Sequence, residues 1–120
     1  MIALSDIVSI TQNNDFRRAY SRGKSKACPS LVAYRVKNRA GLCRVGITTG
    51  KKLGGAVERN RCRRVIKEAY RHLSPLCAGS WDIVFVARSK VLKMKSHEVE
   101  KDMFKLLCAL GIINTSAERP

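Results

Sequence analysis

Apolar side chains recur along this chain with two different periods, and the switches between them outline its elements. Asn14 and Asp15 offer capping oxygens before "FRRAYSR", and Gly23 closes the pattern, which predicts a short helix over about 13–22. In "LVAYRVK", Leu31, Ala33 and Arg35 alternate with Val32, Tyr34 and Val36. The turn-forming "NRAG" (38–41) follows, then "LCRVGITT" (42–49), so 31–49 is predicted to be an antiparallel hairpin. The Gly-rich "GKKLGG" (50–55) interrupts the strand. Beyond it, Cys62, Val65, Ile66, Ala69 and Leu73 fall within an arc of about 100° on a helical projection, the mark of an amphipathic helix. Asn60, Arg63, Arg64, Lys67 and Arg71 take the other side, and Ser74-Pro75 stops the run. "WDIVFVAR" (81–88) is apolar and β-branched on both faces, as a central strand would be. A last helix of about 96–110 aligns Val99, Met103, Leu106, Leu107 and Leu110 and ends at Gly111.

The order is helix, β-hairpin, helix, strand, helix. A small sheet with helices against it is the economical α+β arrangement for such a chain. Strand 42–49 can reach 82–88 through the basic helix as a β-α-β crossover. With no repeat or internal linker, residues 1–120 are expected to form one domain, with 1–11 and 112–120 as loose ends.

Composition changes the picture through charge. Lys and Arg number 24 against 9 Asp and Glu, a formal net charge of +15. The excess is spread over both halves, so it belongs to the domain and not to a tail. Such a charge opposes compaction unless a polyanion is present, and nucleic acid is the commonest polyanion. No amphipathic segment joins a basic face to an aromatic apolar one, which argues against a membrane surface. No apolar run approaches ~18 residues, and "MIALSDIVSI" lacks a basic start, so neither a membrane span nor a signal peptide is expected. Five cysteines without CxxC or Cys/His spacing read as reduced thiols, with Cys43 and Cys108 as small core residues; a cytoplasmic location is expected.

The charge peaks in "KKLGGAVERNRCRRVIKEAYR" (51–71), with eight Lys or Arg against Glu58 and Glu68. Two acids cannot pair eight bases, and five of the eight are Arg, whose planar fork suits phosphate. Gly54 and Gly55 allow backbone to approach a phosphate, and the amides that open the following helix favour anions. No Gly-Lys-Ser/Thr follows at P-loop spacing.

The register of these residues, "GxxxxKKLGxAVxRNRxRRxIxEAYR" from Gly46 to Arg71, closely resembles the signature of the bacterial ribonuclease P protein component. "NNDFRRAYSRGKS" (13–25) and "DIVFVAR" (82–88) extend the resemblance over roughly 12–110. Gly50 and Gly55 stand where the family commonly has Ser and Asn. The resemblance implies an α/β sandwich ordered helix, β-hairpin or three strands, helix, strand, helix, with a small mixed sheet and a left-handed β-α-β crossover. It also implies an RNA-binding subunit of the ribonuclease P holoenzyme, the endoribonuclease that removes the 5′ leader of precursor tRNA. Its partners would be the catalytic RNA and precursor tRNA, with no obligate protein partner, and the catalytic centre would lie in the RNA. Magnesium (Mg2+) would be held by that RNA and not by the protein.

Carried over residue by residue, Lys51, Lys52, Arg59, Asn60, Arg61, Arg63, Arg64, Lys67 and Arg71 are the candidates for binding the RNA subunit. Asn60, Arg64, Lys67 and Arg71 share about 60° of arc, whereas Arg59 borders the apolar face and either points to a cleft or covers the core edge. Phe16 and Tyr20, one turn apart with Arg17 beside them, together with Tyr34, are the candidates for holding the leader. An aromatic pair flanked by cations suits base stacking, and equally suits packing of a helix on a sheet. Tyr70 and Phe104 belong to apolar stripes. No cluster of carboxylates or positioned His offers a catalytic set, and neither catalytic nor metal-binding residues are expected. The alternative is a ribosomal or other structural RNA-binding protein of the same type; a protein-only nuclease is a third reading.

Overall fold

The computed structural model describes residues 7–114. Its helices are α1 (Asn13–Arg22), α2 (Ala56–Leu73) and α3 (Ser96–Ala109); its strands are β1 (Lys24–Ala27), β2 (Leu31–Lys37), β3 (Arg44–Thr48) and β4 (Trp81–Ala87). The strand order is β1-β2-β4-β3, with β3 parallel to β4 and the other pairs antiparallel. The chain is thus α+β with a mixed sheet, and β3-α2-β4 is the expected crossover.

The predicted hairpin over 31–49 does not form. Its turn exists: Asn38 Oδ1 accepts the Ala40 N–H at 3.0 Å, and the Asn38 amide donates to the Leu42 carbonyl at 3.1 Å. The same amide also donates to Asp82 at 2.8 Å, while the Ser80 hydroxyl donates to the Asn38 carbonyl at 3.0 Å. The start of β4 is thereby drawn between β2 and β3. Ile83, Val84 and Phe85 are all fully buried although they alternate across the sheet, and only a central strand is covered on both faces. Strand β1 escaped the apolar pattern because "KSKA" is exposed throughout, as suits a charged edge.

The helices match their sequence patterns closely. Glu58 Oε1 accepts the Gly55 N–H at 2.9 Å and closes the start of α2, while Gly54 adopts φ 121°, a conformation that favours glycine. The expected Asn14 and Asp15 cap of α1 is absent: Gln12 precedes the helix, no side chain caps it, and the Asp15 carboxylate pairs with arginines instead.

Two cores lie on opposite faces of the sheet. On one, α2 and α3 bury Cys62, Ile66, Leu73, Val99, Met103 and Leu107 against Leu31, Val45, Ile83 and Phe85, with the Tyr70 ring 5.9 Å from Phe85. Each such large side chain contributes about 1.5–3 kcal/mol when fully buried. On the other, α1 sets Ala19 and Phe16 against Val84, Val36 and Val86. The packed body also exceeds the limits expected for it. Val45 donates to Val8 O at 2.9 Å and accepts from Ile10 N–H at 2.8 Å, so residues 8–10 cover the outer edge of β3. Ile112 and Ile113 are buried, and Ile113 pairs with Cys77. Of the expected loose ends, 1–6 and 115–120 lie outside the described residues.

Candidate RNA-binding surfaces

Helix α2 divides its cations by angle. The stripe built on Cys62, Ile66, Ala69 and Leu73 docks on the sheet, and Arg63, Arg64 and Lys67 are left exposed with Asn60. Lys51 and Lys52, in the 3-10 turn Lys51–Leu53 that leads into α2, are also exposed. Arg63 donates to Asn60 Oδ1 at 3.1 Å, so those two are held together on the surface.

The remaining candidates on this helix are tethered to the protein. Arg59 and Arg61 flank the apolar stripe on its two sides. Arg59 Nε donates to the Thr49 carbonyl at 3.2 Å, which ties the end of β3 to α2. Arg61 donates to the carbonyls of Leu92 and Met94 at 3.2 and 3.0 Å, clamping the 3-10 turn Ser89–Lys93 beneath α2. Arg71 grips Glu68 at 2.6 and 3.2 Å. This ion pair raises the Arg71 pKa and lowers that of Glu68. The projection grouped Arg71 with Arg64 and Lys67; the structure adds that its charge is already offset.

A contribution absent from the sequence reading comes from "RSKVLKMK" (88–95), where Arg88, Lys90, Lys93 and Lys95 are exposed. Lys95 joins Arg61 and Arg64 around a concavity of about 330 Å³. The density of cations in this octapeptide is a signal that its irregular apolar spacing hides.

Across the sheet, α1 places the leader candidates unequally. Phe16 lies over Gly46, where a Cβ would fall 2.6 Å from the ring, so this glycine is what lets the ring settle on β3. Tyr20 is 40% exposed; its hydroxyl shares a hydrogen bond with Thr48 at 2.6 Å, and its ring meets Tyr34 edge-on at 5.1 Å. Arg17 is exposed on the outer side of the helix. The fold therefore gathers Tyr20, Tyr34 and Thr48 from three elements into one aromatic notch, with the partly buried Phe16 one turn away on α1. Thr48 carried no sequence signal beyond alternation.

The far side of α1 carries an ionic cluster. Asp82 is fully buried, and its carboxylate accepts Arg44 through two hydrogen bonds of 2.8 Å, Asn38 at 2.8 Å and Arg18 at 3.0 Å. Burial alone would raise its pKa, but the hydrogen bonds of Arg44 and Asn38 and the charges of Arg44 and Arg18 outweigh it and hold the carboxyl below the usual range. Asp15 adds contacts to Arg18 at 3.1 Å and Arg44 at 3.7 Å.

The other acids are also engaged. Glu68 and Glu100 flank His72, Glu98 accepts the Lys95 N–H, Asp102 accepts the Ser30 hydroxyl, and Glu58 caps α2. Among the described residues no three His, Cys, Asp or Glu side chains come together in a group able to hold a metal ion. No helix there is long and apolar enough to cross a membrane.

An exposed cationic helix on one side of a small sheet and an aromatic notch flanked by cations on the other define a nucleic-acid-binding α+β domain. The sequence profile of the family described as Ribonuclease P matches residues 4–111. A ribonuclease P protein component from Thermoanaerobacter sp. (strain X514) is 40% identical over 101 residues, 84% of this chain and 87% of that protein. One from Clostridium botulinum (strain Loch Maree / Type A3) is 40% identical over 106 residues, 88% of this chain and 96% of that protein. The solved Staphylococcus aureus RNase P protein superposes with a TM-score of 0.79 at 31% identity, covering 88% of this chain and 97% of that one. The chain belongs to the ribonuclease P protein family.

Proposed function

We propose that this chain is the RNA-binding protein subunit of ribonuclease P, which assists endonucleolytic removal of the 5′ leader from precursor tRNA in the cytoplasm. The observation that carries the reading is the division of α2. Its apolar stripe and the flanking Arg59 and Arg61 build the fold, while Arg63, Arg64, Lys67, Lys51 and Lys52 remain exposed for phosphate. The catalytic RNA is the partner assigned to this face. The notch of Tyr20 and Tyr34, with Arg17 above it, is assigned to the single-stranded leader, whose bases can stack there.

Catalysis is assigned to the RNA. The acids of the described residues are occupied in ion pairs, caps and buried hydrogen bonds, which leaves no free carboxylate pair to place a hard cation. Magnesium ions are accordingly expected on RNA phosphates. The polypeptide's work is to neutralise backbone repulsion and to orient the leader. Cleavage of precursor tRNA at low magnesium by catalytic RNA alone, by protein alone and by the two together tests this. Stimulation by the combination alone is expected; cleavage by the protein alone would overturn it.

A further inference from the structure

Helix α1 crosses its face of the sheet and leaves a different surface on each flank. Phe16 packs over Gly46 and Tyr20 contacts Thr48 and Tyr34 on one flank. Asp15, Arg18 and Arg22, spaced three and four residues apart, line the other. There they face Lys37, Arg39 and Arg44 from the end of β2, the following turn and the start of β3, around an open groove of about 570 Å³. Five cations thus meet two carboxylates, those of Asp15 and the buried Asp82.

The carboxylates do more than cancel charge. They pin the Arg18 and Arg44 guanidinium groups in place, while Arg18 Nε stays buried without a hydrogen-bond partner. Arg22, Lys37 and Arg39 make no side-chain hydrogen bond or ion pair among the described residues. A floor of oriented guanidinium with free cations at the rim is suited to phosphate. No aromatic side chain lines the groove, so it offers no stacking for bases.

We propose that this groove is a second nucleic-acid site, which holds the phosphodiester backbone of the precursor leader upstream of the nucleotides in the aromatic notch. The proposal rests on the assignment of that notch to the leader. The leader is the occupant favoured by position. The groove and the notch share α1 on one face of the sheet, whereas α2 and its exposed cations belong to the opposite face. Arg17, exposed on the outer side of α1, lies on the way between them. Crossing a helix about 10 Å wide takes at least ~3 nucleotides at stacked spacing.

The test uses the holoenzyme reconstituted with a bacterial ribonuclease P RNA, and three substrates: mature tRNA, precursor whose leader ends in the notch, and precursor with a longer leader. For the Lys37→Ala/Arg39→Ala double variant, affinity for the long-leader precursor should fall about tenfold and its salt slope by about 1.4, the value of two single-strand phosphate contacts. Short-leader precursor and mature tRNA should bind as before, and Lys37→Arg/Arg39→Lys should restore the loss. Equal loss on all three substrates would assign the groove to the RNA subunit or the tRNA body and overturn the proposal; so would unchanged binding of the long leader. Tyr34→Ala provides the separate arm. If it fails to weaken short-leader precursor relative to mature tRNA, the notch assignment falls, whatever the groove does.

Discussion

Asp82→Asn is the sharpest probe of how this fold holds its first helix. The substitution keeps the size of the side chain and removes its charge. In the native protein the two carboxylate oxygens accept four hydrogen bonds, three from arginines and one from Asn38. An Asn side chain retains one carbonyl oxygen and presents an NH2 group to donors on the other side. About two charge-assisted bonds are lost, each worth ~1.5–3 kcal/mol. Arg18 and Arg44 are partly exposed and recover some hydration, so a net destabilisation of about 3 kcal/mol is expected, at the low end for a broken buried pair.

With a urea m-value of about 1–3 kcal/mol/M, the midpoint should move down by 1 M or more, read by circular dichroism at fixed ionic strength. The pH dependence supplies a second reading. The Asp82 carboxyl is held below its usual range, so its contribution to stability is complete above the unfolded pKa of ~3.9 and is lost as pH falls through the lower folded value. The gap between native and variant proteins should therefore be full above about pH 5 and close under strongly acidic conditions. A midpoint shift below about 0.3 M at neutral pH, or a gap that does not narrow in acid, would refute the assignment of Asp82 as the anchor of α1.

Other substitutions separate building from binding. Arg61→Ala removes the clamp on the Leu92 and Met94 carbonyls and should cost about 1–3 kcal/mol in thermal denaturation. Arg64→Ala/Lys67→Ala should leave stability within about 0.5 kcal/mol but weaken RNA-subunit binding and flatten its salt slope by ~1.4–1.8, measured by titration at several salt concentrations. Gly46→Val should displace the Phe16 ring, since a Cβ there meets it at 2.6 Å; a stability loss of ~1–3 kcal/mol and weaker leader binding are expected, and a neutral result would show that α1 is free to shift. Tyr20→Phe removes the hydrogen bond to Thr48 and keeps the ring, so precursor binding should change little beside the loss on Tyr20→Ala.

The division between building and binding explains how a +15 chain can fold with so few acids. Asp82 sits where it meets two arginines at once, and Arg61 spends its charge on backbone carbonyls. The exposed cations are then free for a polyanion, whose counterion release favours association.

Much of this was legible from residue spacing. Period 3.6 marked α2 and α3, because each buries a single stripe, while the polar residues before α1 and the glycine after it marked the first helix, and β4 stood out as central because both its faces are apolar. The charge excess and the register of Lys51 to Arg71 pointed to RNA, since the two acids in that segment cannot pair its bases. Strand partnership was not legible. Alternation states which face a residue occupies, not which neighbour it pairs with, so the hairpin over 31–49 gave way to a β4 inserted from far along the chain. A projection set Arg59 at the border of the apolar face, but it could not separate Arg61 and Arg71 from Arg63, Arg64 and Lys67. Those roles depend on carbonyls and carboxylates that approach α2 from elsewhere in the chain, or from its own next turn in a chosen rotamer. Local sequence pattern determined the three helices and the strands other than β1, and composition determined the sign of the surface. Which cations are spent inside the fold was decided by contacts between residues distant in sequence, and only tertiary packing creates those.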